Sequence, residues 1–389
     1  MSLFINILDW LLFVLAAIPV IHSLIFAIAS KFLYSPPSFT KADNSGRFVI
    51  LIPAYKCGDL VLPTVQSAIN QDYPKEQFKV VVASDGLEPE VNAKIRALGS
   101  EVVELNFEQS SKAKALIAAI DVLGADAADY VTILDADNIV ERSYLSALND
   151  AFASGVSAIQ AHRTARNRNT AIAVLDAAAE EIHNSISRQG HNALMMSSAL
   201  IGSGMAFRYG WFAENIRLCC TAGEDKELEL LLLSQGIKIQ YLPDVVVLDE
   251  KTTRLSSYHK QRRRWISAQY YSFAAGFKWL IPALRNRNVE YLDKILQWSF
   301  LPRLLMVLII VSMSIASPFI SLYIAVKWWT LLFVFGFSVL LAMPASQLDT
   351  SFFRSLFALP ALCASSLANM FKLKGNKYKF IPTDHSQND

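Results

Sequence analysis

The sequence predicts an α/β protein: one mainly parallel sheet, joined to transmembrane and interfacial helices at both ends of the chain. Two observations carry this. Between Arg47 and about Val247 short apolar runs alternate with longer helical ones, the pattern of a parallel sheet covered on both faces. Outside that stretch the apolar residues collect at the two ends, and hydrophobic residues make up 53% of the 389, high for a soluble protein. The length leaves room for one sizeable domain plus membrane segments. A net charge of +2 offers no electrostatic case for nucleic acid. The cysteines, at 57, 219, 220 and 363, have no metal or C-x-x-C spacing. Adjacent Cys219 and Cys220 are poorly placed to bridge each other. No disulfide framework is expected, which fits a reducing compartment for the main domain.

Residues 3–33 are largely apolar, with Asp9, His22 and Lys31 as the ionisable interruptions. Trp10 to Ser30 is long enough to cross a bilayer, which takes about 20 residues. The first basic residue follows the run, so a retained anchor is expected and not a signal peptide. Lys31, Lys41 and Arg47 after it put the N-terminus outside and the main domain in the cytoplasm. Ser35-Pro36-Pro37-Ser38 is a linker. Strands are then expected at Phe48–Ile52 (ended by Pro53), Lys79–Ser84, Glu101–Leu105, Tyr130–Leu134 and Tyr241–Leu248. Helices are expected at Leu62–Gln71, Glu88–Leu98 and Lys112–Leu123. In such sheets ligands bind beyond the carboxyl ends of the strands. There lie Pro53-Ala54-Tyr55, Ser84-Asp85-Gly86 and Asp135-Ala136-Asp137. Ser256–Leu280 is basic in its first half and aromatic throughout, suited to a headgroup boundary. Leu304–Tyr323 and Trp328–Met343, separated by Lys327, follow as two further spans. Ser355–Phe371 contains Pro360 and leads into Lys372, Lys374, Lys377 and Lys379; if it spanned, that basic tail would lie outside. Three crossings and a final interfacial helix are expected.

Several residue groups have a chemical reading beside an ordinary one. Asp135-x-Asp137 at a strand end offers two hard oxygen ligands to a divalent cation that holds a diphosphate; the alternative is a solvated turn closed by Asn138. Asp85 accepts from a base edge or ribose, or is a turn aspartate. Tyr55 stacks on a base, or covers the sheet edge. Lys112 and Lys114 at a helix start favour phosphate oxygens, or are solvated. Glu224 and Asp225 open an apolar helix: one is a general base for an acceptor hydroxyl, or both serve the helix dipole. Gly202-Ser203-Gly204 gives backbone access to a sugar acceptor, or is a tight connection. Gln261 and Trp265 share a helix face with Arg264 beside them, for sugar stacking and diphosphate, or as a membrane-surface anchor. None of the six histidines has metal or triad spacing, and none is assigned a role.

Taken together and in order, these motifs resemble the family-2 glycosyltransferases, the membrane-bound inverting enzymes that include cellulose, hyaluronan and bacterial exopolysaccharide synthases. The likeness runs from Phe48 to about Trp265, with an echo at Phe380–His385. It implies a GT-A nucleotide-sugar domain with Asp85 at the uracil of a UDP-sugar. Pro53, Ala54, Tyr55, Lys112 and Asp135 join Asp85 on the donor, and Asp137 holds Mg2+ or Mn2+. Asp225 is the implied base, with Gly204, Glu224, Gln261, Arg264 and Trp265 toward acceptor and diphosphate. Lys56-Cys57 stands where the family often has Asn-Glu, and Gly223 replaces a usual threonine before Glu224-Asp225.

The implied organisation is an N-terminal anchor over residues 1–34, a linker over 35–46 and a cytoplasmic catalytic domain over 47–255. Interfacial helices follow over 256–299, then a transmembrane hairpin over 300–348 and an interfacial helix with a basic tail over 349–389. The expected setting is the inner or plasma membrane. The implied reaction builds an extracellular or capsular polysaccharide through a β linkage; a single-sugar transfer to a polyprenyl or other lipid is the alternative. A catalytically silent scaffold fits poorly with Asp135, Asp137, Asp225, Arg264 and Trp265 all present. Three spans are few for a polysaccharide channel, so export is expected to need a homo-oligomer or a separate transporter.

Overall fold

The computed structural model describes residues 2–221 and 223–370. Phe380–His385 and the basic tail lie outside the described residues, as does Ala222. Eight strands form one sheet: β1 (Phe48–Tyr55), β2 (Phe78–Asp85), β3 (Glu101–Leu105), β4 (Tyr130–Ile133), β5 (Ile139–Val140), β6 (Ala158–Ala165), β7 (Met205–Arg208) and β8 (Ile239–Asp249). Their order is β3-β2-β1-β4-β7-β6-β8-β5. The β3-β2-β1-β4 half is parallel, as the alternation of strands and helices requires. β7 enters antiparallel to both β4 and β6, while β6 and β8 pair in parallel, so the sheet is mixed but mostly parallel.

Strand β1 shows why this sheet is buried on both sides. Phe48, Ile50 and Ile52 pack into one core with Val65, Leu148 and Phe152. Val49 and Leu51 point the other way, into a second core with Leu116, Ile120, Phe212 and Leu228. Alternate side chains of a strand face opposite sides, so an uninterrupted apolar run needs a layer on each face. Each such side chain contributes about 1.5–3 kcal/mol through burial. Pro53 was expected to end the strand, yet β1 runs on to Tyr55. β4 stops pairing at Leu51, so Pro53 has a ladder partner only on the β2 side. A proline is tolerated at such a half-edge position.

Among the described residues three helices are long and apolar enough to cross a membrane: Asn6–Leu33, Leu322–Ala342 and Thr350–Met370. Val289–Ser299 and Arg303–Phe319 meet the same criterion only when taken together, as a pair bent by 61° at the break between them. This differs from the expected set in two respects. Lys327 does not separate two runs. It lies inside Leu322–Ala342, ion-paired with Asp9 of the first helix and 4.2 Å from the centre of the Trp10 ring. The stretch expected to lie on the surface, Ser355–Phe371, falls largely within Thr350–Met370, which is long and apolar enough to span, although its mean hydropathy of 1.3 is below the 2.6 and 1.9 of the other two.

The first helix also meets the α/β part. A π-helical turn, Ser185–Gly190, follows the helix Ala171–Asn184 and packs on Phe26. A Cβ at Gly190 would lie 2.2 Å from the Phe26 carbonyl oxygen, a backbone atom that cannot step aside. Gly190→Ala is therefore expected to destabilise the protein by about 1–3 kcal/mol through overpacking. Thermal unfolding in detergent checks this, and an unchanged Tm would show that the two segments separate at no cost.

Candidate active site

The carboxyl ends of β1, β2 and β4 open onto one cavity of about 1680 Å³. Its walls carry Pro53, Ala54, Tyr55, Asp85, Lys112, Asp135, Asp137, Glu224, Asp225, Gln261, Arg264 and Trp265. Residues spread over more than two hundred positions thus face one space. Gly204 does not. Its N–H donates to the Ile133 carbonyl and its own carbonyl accepts from Ala161, which fixes it between β4 and β6. A Cβ there would lie 2.9 Å from Val247. Gly202 is the glycine on the cavity wall, where a Cβ would lie 3.6 Å from Lys112 Nζ and 3.8 Å from Asp225 Oδ2.

Asp85 is buried at the end of β2. Its Oδ1 accepts from the Phe107 N–H at 3.2 Å, while Oδ2 is buried with no hydrogen-bond partner. A buried acceptor without a donor is costly. Asp85 also lines the cavity.

Lys112 is neither solvated nor directed at open space. Its ammonium donates to Asp135 Oδ1 at 2.5 Å and to the Gly202 carbonyl at 2.6 Å, and lies 3.4 Å from Glu224 Oε1. Burial pulls its pKa down, but Asp135, Glu224 and Asp225 outweigh burial and hold it above the ordinary lysine value. Glu224 is pushed up to about 7, first by burial and further by Asp225, with Lys112 opposing. Asp225 Oδ1 accepts from the Lys226 N–H at 2.9 Å.

The Asp135–Asp137 turn is pinned from below. Asn138 donates to Asp137 Oδ1 at 3.1 Å and to Asp249 Oδ1 at 2.9 Å, and accepts from the Ser203 hydroxyl. Ser203 Oγ in turn accepts from the Asp135 N–H at 3.0 Å. Asn138 is thus a strut between β4 and β8. Beneath it Arg163 Nε donates to Glu180 at 2.7 Å and lies 3.9 Å from Asp249, and Lys251 pairs with Asp249 at 2.7 Å and with Glu180. Arg163 also reaches to 3.9 Å from Asp135 Oδ2. None of Arg163, Glu180, Asp249 or Lys251 stands out in the sequence. The visible signal is only that Asp249-Glu250-Lys251 follows an apolar strand.

The helix Leu255–Gly276 supplies the opposite wall. Arg262 pairs with Asp176, and its guanidinium lies 4.4 Å from the Trp265 ring centre and 4.8 Å from that of Tyr258. Arg262 therefore holds Trp265 in place by a cation–π contact. The residue types fit a hard divalent cation: Asp135 and Asp137 present carboxylate oxygens at one cavity wall. The ammonium of Lys112 faces Asp135 Oδ1, and Asp137 Oδ1 accepts from Asn138.

Glu224 couples this site to stability. Between its ordinary value of 4.5 and about 7 the folded state holds a proton that the unfolded state has lost. Stability should therefore fall as pH rises across that window. In Glu224→Gln the contribution disappears, so the stability difference between wild type and variant should slope from pH 4.5 to 7 and flatten above. Denaturation curves at a series of pH values measure it; a flat difference would show that the carboxyl group is not perturbed.

Comparison with known proteins agrees with this architecture. An N-acetylglucosaminyltransferase of Rhizobium meliloti (strain 1021) is 25% identical over 303 residues, 73% of this chain and 68% of that protein. A solved mannosyltransferase, PcManGT from Pyrobaculum calidifontis in complex with GDP-Man and Mn2+, superposes with a TM-score of 0.59. That match has 18% identity and covers 94% of this chain and 99% of the other. At that identity the likeness is one of fold, the GT-A glycosyltransferase fold. Residues 46–268 match the family described as "Glycosyltransferase like family 2". With more than half its length matched, the chain belongs to that family and is a glycosyltransferase.

Proposed function

We propose that this glycosyltransferase moves a sugar from a UDP-sugar to a hydroxyl of a growing polysaccharide, with inversion, at the inner face of a membrane that its helices cross several times. The observation that supports this best is that Asp85, Asp137, Asp225, Arg264 and Trp265 share the walls of one cavity. On this reading Oδ2 of Asp85, buried and without a hydrogen-bond partner among the described residues, accepts from the N–H of the nucleobase once the donor is seated, and Tyr55 lies against its ring. Asp137, with Asp135 and Lys112 beside it, is the place for Mg2+ or Mn2+. A cation held there supplies positive charge to the diphosphate. Arg264 adds a guanidinium to the same leaving group, and Trp265 offers an aromatic face to the acceptor sugar.

Asp225 takes the proton of the attacking hydroxyl. Its neighbour Glu224, raised to about 7, competes for that role in charge but is engaged by Lys112. The attack comes from the side opposite the departing diphosphate, so a single displacement inverts the anomeric carbon. The cavity brings donor and acceptor together in one space.

One observation favours a second reading, transfer of a single sugar to a lipid phosphate. The cavity extends past the active site to an apolar end lined by Val307, Phe335, Val339, Met343, Leu356 and Leu362. Lys226 and Arg303 face the same space, and among the described residues neither has a carboxylate within ion-pair distance. Cations beside an apolar chamber suit a phosphate with a hydrocarbon tail.

The two readings differ in their need for a base, because a phosphate oxygen carries no proton to remove. Membranes containing the protein should be supplied with a panel of radiolabelled UDP- and GDP-sugars, and the product sized and tested for lipid extraction. Asp225→Asn is expected to lower transfer at least 1000-fold while UDP binding stays near wild type. Full activity in that variant with a lipid-extractable product would establish the second reading instead. Asp137→Ala should lose the metal-dependent part of UDP binding; an unchanged metal dependence would place the cation elsewhere.

A further inference from the structure

A second side-chain cluster lies at the membrane end of the cavity and takes no part in the reaction described above. His22 of the first helix, His191 after the π-helical turn and Asp293 of the helix Val289–Ser299 converge there. Their ligand atoms all lie within 4.8 Å of one another. His22 Nε2 is 2.8 Å from Asp293 Oδ1, and His191 Nε2 is 3.0 Å from Asp293 Oδ2. The three residues are far apart in sequence and come from three separate elements.

The placement of protons shows what is unusual. His191 Nδ1 lies 2.7 Å from the Ile186 carbonyl, which can only accept, so Nδ1 carries the hydrogen. In a neutral ring, Nε2 then presents a lone pair. Gln297 turns its oxygen to Lys294, so its amide nitrogen faces both His191 Nε2 at 2.9 Å and Asp293 Oδ2 at 2.6 Å. Those two acceptors are themselves only 3.0 Å apart, a triangle too acute for the two N–H bonds of one amide to serve both well. The lone pairs of a buried imidazole and a carboxylate thus converge, with a second imidazole at the same carboxylate.

We propose that His22, His191 and Asp293 form a binding site for a late first-row divalent cation of the zinc type, separate from the site at Asp137. Two imidazoles and one carboxylate are the ligand set such ions prefer, whereas Mg2+ prefers oxygen alone. With metal–ligand bonds of about 2.0–2.2 Å, ligand atoms stand roughly 3–3.5 Å apart; each histidine lies close to this spacing from a carboxylate oxygen of Asp293, and the whole set lies within 4.8 Å. The hydrogen bond from His191 Nδ1 to a backbone carbonyl is the usual outer partner of a ligating histidine. The ring is also held by Phe26, stacked at 3.7 Å between centres and 5° between planes. His22 and Gln297 line the cavity, so a fourth position opens toward it. Because its ligands come from the first helix, the residue just after the π-helical turn and Val289–Ser299, the ion clips the membrane part to the catalytic part.

The test uses the full-length protein in detergent, freed of any affinity tag, stripped with chelator and then dialysed against Co2+ in excess Mg2+. About one retained cobalt per chain, with the visible absorption of low-symmetry nitrogen-ligated Co2+, is expected, and Zn2+ should displace it. His22→Ala and His191→Ala should each lower cobalt affinity at least 10-fold, and Asp137→Ala should leave it unchanged. A wild-type protein that retains no cobalt and shows no such absorption overturns the proposal, whatever the variants do. So does cobalt that is lost with Asp137→Ala, or kept at wild-type affinity in both histidine variants.

Discussion

The site depends on one buried ammonium. Asp135, Glu224 and Asp225 crowd into the same wall, and like charges at that spacing repel strongly when partly withdrawn from water. Lys112 stands among them and also donates to the Gly202 carbonyl. It joins the helix Lys112–Leu123, the turn after β4, the segment before β7 and the helix Glu224–Ser234. The N-cap of its own helix, Ser111 accepting from the Lys114 N–H at 3.2 Å, fixes where that ammonium begins its reach. Removing the cation would leave several carboxylates uncompensated, which costs far more than the net contribution of any single pair.

Beneath this layer lies a second, made of Arg163, Glu180, Asp249 and Lys251, and the two share Asp135 as a common neighbour. The lower layer binds no ligand in the proposed reaction. Its work is to hold Asn138, which in turn holds the Asp135–Asp137 turn against β8. A loop that receives a diphosphate must not relax when its counter-charge leaves. The buried struts supply that stiffness.

Much of this was legible in the sequence, and what was not has a common cause. The strands and the polar residues at their ends are local signals, so β3 and the helix Lys112–Leu123 fall at the expected residues. Lys112 itself was ambiguous, since a lysine at a helix start looks the same whether it meets water or three carboxylates. Arg163 and Asp249 become partners only because β6 and β8 pair in parallel, with a register shift at Ala161 and His162. No local period foretells that. His22 and His191 looked isolated for the same reason, and Lys327 looked like a break because Asp9, its partner, is on the first helix. Gly204, expected at the acceptor, is instead held between β4 and β6, and Gly202, two residues earlier, lies on the cavity wall.

The 61° bend between Val289–Ser299 and Arg303–Phe319 sets Phe300, Leu301, Pro302 and Arg303 on the cavity wall. The other end of the same space is built by the ends of β1, β2 and β4, with the helices that carry Lys112, Asp225 and Arg264 around them. If, on the lipid-acceptor reading proposed above, the acceptor enters beside that bend, changes in these apolar helices would alter the acceptor end while the strand ends that meet the nucleotide stay as they are.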